Sequence, residues 1–342
     1  MSTAERDDGT TGRDGAVPPS RIALGCAGIG NLYRPVGDEA ALAAVDAAWE
    51  AGVRAFDTAP HYGLGLSERR LGEALRTRSR QEYTVSTKVG RLLEPVPGGG
   101  DGDDLANGFA VPATHRRVWD FSAEGVRKSL AASLDRLGLD RVDTVLLHDP
   151  DDHAEQALRE AYPALERLRA EGVVGSIGIG MNQSALPARF LRETDIDVVL
   201  LAGRYTLLDQ DGLDELLPEA AARGRTVVVG GVFNSGLLTS PEAGATYDYA
   251  PAPDSLLDRA RRLASVTEAH GVPLRAAALR FPFGHPAVDR VLSGARSAEE
   301  VRDTVELLRL PLPDALWDDL RARGLLAPGV PVPTASPAGK RP

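Results

Sequence analysis

Four side chains of this sequence combine acid, base and cation chemistry: Asp57, Tyr62, Lys88 and His148. Three of them stand at the ends of apolar, β-prone runs. "RAFDTA" (54–59) carries Asp57, "YTVSTKV" (83–89) carries Lys88 and "DTVLLHD" (143–149) carries His148. Tyr62 follows Asp57 within the Gly-rich stretch "APHYGLGLSE". A free tyrosine has a pKa of about 10 and is a poor acid or base at neutral pH. A neighbouring ammonium favours the phenolate and draws that pKa toward a working range. A carboxylate paired with the lysine fixes its position and keeps it charged, and a histidine alongside can orient a substrate oxygen. Such a set supports proton transfer coupled to hydride transfer. Taken singly, each residue also suits a structural role: Asp57 and Lys88 as an ion pair, His148 as a hydrogen-bonded core residue, Tyr62 as packing. Their joint placement at neighbouring strand ends is what argues for a site.

The elements that must position them alternate regularly. Strand candidates are 21–25, 54–59, 83–89, 143–149, 175–181, 197–203, 225–231 and 289–294, several of them near-continuous apolar runs of the kind buried on both faces of a parallel sheet. Helix candidates fall between them at 38–51, 67–78, 123–138, 154–171, 184–193, 213–223, 255–270 and 297–309. Ser122 and Ser297 stand as start signals, and Gly138 and Gly172 sit at expected helix ends. Eight strand–helix repeats predict a single (β/α)₈ TIM barrel over 21–326, with its chemistry at the C-terminal face. A doubly wound nucleotide-binding sheet is the alternative, but "GCAGIG" after the first strand lacks the G-x-G-x-x-G spacing. Two long segments, 90–122 and 232–254, follow strands and therefore belong to the C-terminal face.

Composition narrows the partners. Lys and Arg total 39 against 49 Asp and Glu, a net charge of −10, which opposes general nucleic-acid or anionic-membrane binding. One cysteine, Cys26, excludes an intrachain disulfide framework and fits a reducing, cytoplasmic setting. No run approaches the roughly 20 apolar residues that span a bilayer. The six histidines show no metal-ligand spacing, so no metal is expected. Residues 1–20 and 327–342 read as disordered tails, polar or Pro-rich.

In this order, Asp57, Tyr62, Lys88 and His148 resemble the catalytic tetrad of the aldo-keto reductase superfamily, and the resemblance runs from about Arg21 to Leu326. "GNLYRPV", "DTAPHYGLGLSERRLGEAL", "LLHDPDD", "GRYTLLDQ", "GVFNSGLL" and "YDYAPAPDSLLDRA" are similar to its branch of bacterial D-threo-aldose (L-fucose) dehydrogenases, to which pyridoxal 4-dehydrogenase is related. The resemblance implies an NADP- or NAD-dependent oxidoreductase oxidising an aldose at C1 to its lactone. Pyridoxal oxidation or general carbonyl reduction is the enzymatic alternative, and a cofactor-sensing regulatory subunit is the non-enzymatic one. It further implies Asn182 on the nicotinamide carboxamide, Tyr205 stacked on the nicotinamide, and Arg296, with Gly294 beside it, near the adenosine phosphate. The loop after the seventh strand has its own rationale. Its glycines let backbone N–H groups approach a pyrophosphate, with Asn234, Ser235, Gly236 and Leu237 as the contacts. Arg296 favours a 2′-phosphate, while Glu300 and Asp303 disfavour one. Ala202 stands where many relatives carry a glutamine, so a second carboxamide contact is not expected there. For a sugar, loop 90–122 offers Asp103, Asp104, Asn107 and His115 beside Phe109, Trp119 and Phe121, with Trp119 the expected wall. His61 and Asp149 complete the substrate side. The partner is then a small sugar or carbonyl compound, and the protein a monomer or homodimer.

Overall fold

The computed structural model describes residues 17–100, 102–248 and 250–334. The β-branched runs form eight barrel strands: β1 (Ile22–Gly25), β2 (Ala55–Asp57), β3 (Thr84–Val89), β4 (Val142–His148), β5 (Val174–Met181), β6 (Val198–Ala202), β7 (Thr226–Gly230) and β8 (Val288–Gly294). They are parallel and close in chain order, with β8 returning to β1. This is the (β/α)₈ barrel that the alternation predicts.

Side chains alternate across each strand. On β3 and β4 the outward residues Val85, Val89, Val145 and Leu147 are fully buried under the helical ring. The inward set is Thr84, Ser86 and Lys88 on β3, with Thr144, Leu146 and His148 on β4. Pairing places Asp57 beside Ser86, Lys88 beside Leu146 and His148 beside Gly180, so the ionisable residues collect at the C-terminal mouth. Below them the barrel is not filled. A cavity of about 220 Å³ at the N-terminal end is lined by the hydroxyls of Thr84, Ser86, Thr144, Ser176 and Thr226, and it reaches Asp57 from beneath.

The helices are α1 (Asp38–Glu50), α2 (Leu66–Leu75), α3 (Ala123–Leu137), α4 (Tyr162–Ala170), α5 (Ala185–Glu193), α6 (Leu216–Ala222), α7 (Asp254–Ala269), α8 (Leu274–Arg280), α9 (Ala298–Arg309) and α10 (Asp314–Ala322). The expected start signals operate: Ser122 Oγ accepts from Gly125 N–H at 3.0 Å, and Ser297 Oγ from Glu300 N–H at 3.2 Å. Gly138 ends α3 in the left-handed conformation. Helices α8 and α10 are additional to the expected eight. The first is only Leu274–Arg280, with Ala276, Ala277, Ala278 and Leu279 all at 0% exposure, and is too short to carry an amphipathic period.

Order extends beyond the expected bounds at both ends. Val17 and Val330 are buried, and Arg21 ties β1 to β8 by donating to the carbonyls of Asp289 and Val288 at 2.6 and 2.7 Å. The rest of the expected tails, 1–16 and 335–342, lies outside the described residues. Segment 90–122 is more regular than a loop reading suggests. Arg91–Pro95 pairs antiparallel with His115–Trp119, and within that hairpin Asp103–Asp104 meets Phe109–Pro112.

Helix α2 follows the loop that carries Tyr62, and its seat on α3 depends on Gly72. A Cβ there would stand 2.2 Å from the carbonyl oxygen of Leu137, a backbone atom that cannot turn aside. Gly72→Ala is therefore expected to cost about 1–3 kcal/mol. Urea unfolding should show this as a lowered midpoint with an unchanged slope.

Candidate active site

The loop from Thr58 to Gly65 is fixed before any ligand is considered. Thr58 Oγ1 lies 2.8 Å from Ser67 Oγ, which in turn donates to the Cys26 carbonyl at 2.7 Å. The chain between them crosses the loop after β1 so closely that a Cβ on Gly63 would stand 2.2 Å from the Gly30 carbonyl oxygen. Gly63 also has φ +62°, a region glycine enters without strain. Tyr62 is thereby held over the mouth between two pinned points.

Beneath it, Lys88 Nζ donates to Asp57 Oδ1 at 2.5 Å and to the Thr58 carbonyl at 2.9 Å. Ser86 Oγ donates to the other carboxylate oxygen of Asp57 at 2.7 Å. Lys88 and Asp57 are each 2% exposed. The Lys88 ammonium stands 4.7 Å from the centre of the Tyr62 ring, and the His148 ring is 6.0 Å from that of Tyr62 and nearly perpendicular to it. Asp57, Tyr62, Lys88 and His148 are thus brought together from β2, its following loop, β3 and β4.

The electrostatics differ in one respect from the sequence expectation. Burial alone disfavours a charged lysine, but Asp57 and Tyr62 outweigh it and hold Lys88 above the usual lysine range. Burial pushes the Tyr62 phenol up to about 12; the pull of Lys88 is smaller, and Asp57 opposes it. The lysine therefore restrains a rise in the phenol's pKa and does not lower it below that of free tyrosine. Burial, with Arg91 and Lys88 nearby, keeps His148 neutral, its pKa well below the ordinary histidine value. His61 is neutral for similar reasons, pushed down to about 2 by burial, Arg91 and Arg117.

Beside His148 a cavity of about 430 Å³ opens at the mouth, lined by Arg91, Trp119, Asp149, Asp151, His153 and Asn182. Arg91 pairs with Asp149, whose Oδ2 lies 3.6 Å from His148 Nε2, and the Arg91 guanidinium rests 4.3 Å from the centre of the Trp119 ring. Burial raises the Asp149 pKa despite that arginine. Trp119 is 44% exposed and stands at the rim, with Arg91 over its ring. The aromatic residue that touches Tyr62 is Phe109, at 5.9 Å between ring centres, while Phe121 is buried. The one sequence signal for Arg91 is its place three residues after Lys88.

The expected cofactor residues divide. Asn182 lies at the mouth beside the tetrad. Gly294 is exposed at the end of β8, and Arg296 follows at the start of α9. Glu300 pairs with Arg296 at 3.6 Å and with Arg34 at 3.7 Å, so two arginines flank this helix start; Asp303 is engaged by Arg275. Tyr205 is different: it is 0% exposed, packed on Phe281 at 5.1 Å and His285 at 6.0 Å, and offers no face for stacking. The loop after β7 also departs from expectation. The N–H groups of Asn234, Gly236 and Leu237 are taken by carbonyls of the same turn, and Asn234 Nδ2 donates to Gly203 O at 3.1 Å. Asn234 and Leu237 are buried there, whereas Ser235 remains exposed. No cluster of metal-ligating side chains occurs among the described residues.

Residues 21–323 match the aldo/keto reductase family. The chain belongs to this family. It is 47% identical to a D-threo-aldose 1-dehydrogenase from a Pseudomonas species, over 91% of this chain and 95% of that one. It is 39% identical to pyridoxal 4-dehydrogenase from Microbacterium luteolum, over 92% and 97% of the two chains. Among solved structures it resembles an aldo-keto reductase from Bacillus halodurans in its holo form, with TM-score 0.69 and 25% identity over 91% of this chain and 93% of that one.

In this reductase the buried pair has a measurable consequence. Lys88→Met strands the Asp57 carboxylate in the barrel and is expected to cost about 3–5 kcal/mol of stability. Adding Asp57→Asn removes the stranded charge, and the double variant should recover at least half of that loss in urea unfolding. Equal stability of the single and double variants would show that the pair is not held as described.

Proposed function

We propose that this aldo/keto reductase oxidises an aldose at C1 to the lactone, passing hydride to NAD or NADP. The observation that carries the reading is Tyr62 set over the buried Lys88–Asp57 pair, beside a neutral His148 and a mouth cavity rimmed by Arg91, Asp149 and Asp151. A polyhydroxyl ring needs many hydrogen-bonding groups, and this rim supplies both donors and acceptors. The activity named for the Pseudomonas relative agrees with it.

A nicotinamide dinucleotide fits the residues present. The start of α9 with Arg296 and Arg34 is suited to its anionic groups, Ser235 lies exposed on the neighbouring loop, and Asn182 stands at the mouth for its carboxamide. When bound, it supplies the hydride acceptor. The protein's part is proton transfer and orientation. His148 donates a hydrogen bond to the C1 oxygen and directs its hydroxyl at Tyr62. The Tyr62 phenolate takes the hydroxyl proton as the C1–H bond breaks, and Lys88 stabilises the phenolate from below. Asp57, itself held by Ser86, keeps Lys88 in place and charged. The 39% identity to pyridoxal 4-dehydrogenase supports a second reading, in which C4′ of pyridoxal, carrying a hydroxyl in the cyclic hemiacetal form, takes the place of C1 and gives a lactone by the same loss of proton and hydride.

Rates with L-fucose, D-arabinose and pyridoxal plus each oxidised cofactor, and with simple aldehydes plus each reduced cofactor, separate these readings. The aldose reading expects sugar oxidation to dominate; no turnover of any pentose or 6-deoxyhexose would overturn it. Tyr62→Phe should still bind cofactor by fluorescence titration but lose about 10²–10⁴-fold in turnover.

The raised Tyr62 pKa also fixes the sign of the pH dependence. Oxidation needs the phenolate, a minor form at neutral pH, so the rate should rise with pH and show no plateau below about pH 9. A neutral His148 adds no ionisation between about pH 5 and 8. A plateau reached near pH 7 would contradict the assignment.

A further inference from the structure

The hairpin over the mouth carries a largely covered arginine that the chemistry above does not use. Arg117 donates from Nε to Nδ1 of His61 at 2.5 Å and from one terminal nitrogen to the His61 carbonyl at 3.0 Å. Its two terminal nitrogens also grip Asp104, at 2.7 and 2.6 Å, and Asp104 accepts a further bond from Asn107 Nδ2 at 2.8 Å. The Arg117 and Asp104 side chains are 10% and 5% exposed. Phe109, from the same hairpin, closes edge-on against His61 with ring centres 5.1 Å apart. On the mouth side, the His61 ring is 5.7 Å from that of His148 and 6.1 Å from that of Tyr62.

A guanidinium can only donate. Its bond to Nδ1 therefore uses the lone pair of that nitrogen and leaves the single ring hydrogen of neutral His61 on Nε2, at the opposite edge. The charges around the ring do not reverse this. Arg91, Lys88 and Arg117 are the nearby cations, and the carboxylates Asp149, Asp57 and Asp104 are each paired with one of them. Burial and those cations both oppose a proton on His61.

We propose that Arg117 is a positioning residue that fixes His61 as an Nε2–H donor to a sugar oxygen adjacent to the reacting carbon. The hairpin and the tetrad then form one recognition unit. A donor locked in this tautomer binds an oxygen lone pair at any working pH. It discriminates for substrates that carry a hydroxyl next to the reacting carbon, which a simple aldehyde lacks. The inference rests on the aldose reading, but its central claim concerns a tautomer that can be observed without substrate.

The test is two-bond ¹H–¹⁵N spectroscopy of the histidine rings in the full-length protein, with His61 assigned by its loss in His61→Gln. The expected result is one neutral Nε2–H pattern for His61 from pH 5 to 9, and a mixture of neutral Nδ1–H and Nε2–H tautomers in Arg117→Met. In kinetics with L-fucose, Arg117→Met should raise KM about tenfold, with a smaller change in kcat, and Arg117→Lys should restore most of the loss. A proton on Nδ1, or titration of His61 in the unmodified protein within that range, would overturn the proposal. So would a folded Arg117→Met with unaltered KM. If that variant does not fold, the wild-type tautomer decides alone. Failure of the wild-type enzyme to oxidise any aldose would instead break the parent reading and leave the tautomer result standing.

Discussion

An ion pair in the middle of a barrel is the constraint on which the rest of this molecule turns. Desolvating an ammonium and a carboxylate costs several kcal/mol each, and attraction alone does not reliably offset it. Here the geometry is completed by neighbours: Asp57 has both oxygens bound, by Lys88 and Ser86, and Lys88 also donates to the Thr58 carbonyl. Every one of these partners depends on strand register. The alternation that turns Ser86 and Lys88 inward turns Val85 and Val89 outward into the core, so a one-residue slip of β3 would expel the lysine and bury the wrong face.

The same requirement propagates outward through α2. Glu68 is fully buried, yet it is satisfied: Thr87 Oγ1 donates to one oxygen at 2.8 Å and Arg136 Nε to the other at 2.6 Å. Thr87 is the residue before Lys88, and Arg136 lies in the last turn of α3. A single carboxylate thus fixes the helix after the Tyr62 loop to the back of the strand that carries Lys88, and to the next helix. Preorganisation of tyrosine against lysine comes from this buried network together with the glycine crossing at Gly63, and less from the loop itself.

The sequence is informative where chemistry interrupts a pattern. Asp57, Lys88 and His148 break apolar strands at their ends, and all three are found at the mouth; the eight strands are legible for the same reason. Features without such a contrast escape. Glu68 sits in "SERR", which looks like an ordinary solvated helix face, and Arg117 sits in the polar strand "HRRVW". Neither spacing nor composition tells that Glu68 is buried and Arg117 largely covered, because their partners come from Arg136, Thr87 and Asp104 at long or irregular separations. Tyr205 fails in the opposite sense. The family resemblance implies a stacking residue here, but Gly203 turns the chain at φ +75° and the ring enters the core against Phe281.

The mouth is consequently a place of fixed protonation states. Lys88, Arg91 and Arg117 each hold a carboxylate, so the cations add little net charge, yet together with burial they exclude a proton from both imidazoles. A neutral imidazole has one hydrogen to give, and its direction is set by whatever occupies the other nitrogen. Lys88 is held charged and His148 neutral, while the same burial raises the Tyr62 phenol. Removing a proton from that phenol is difficult in this setting, and the Lys88 ammonium beneath the ring draws its pKa back part of the way. Burial raises the demand on that lysine and simultaneously strengthens its attraction for the phenolate, because the intervening dielectric is low. The barrel thus makes the tyrosine hard to ionise and makes the lysine effective by the same means.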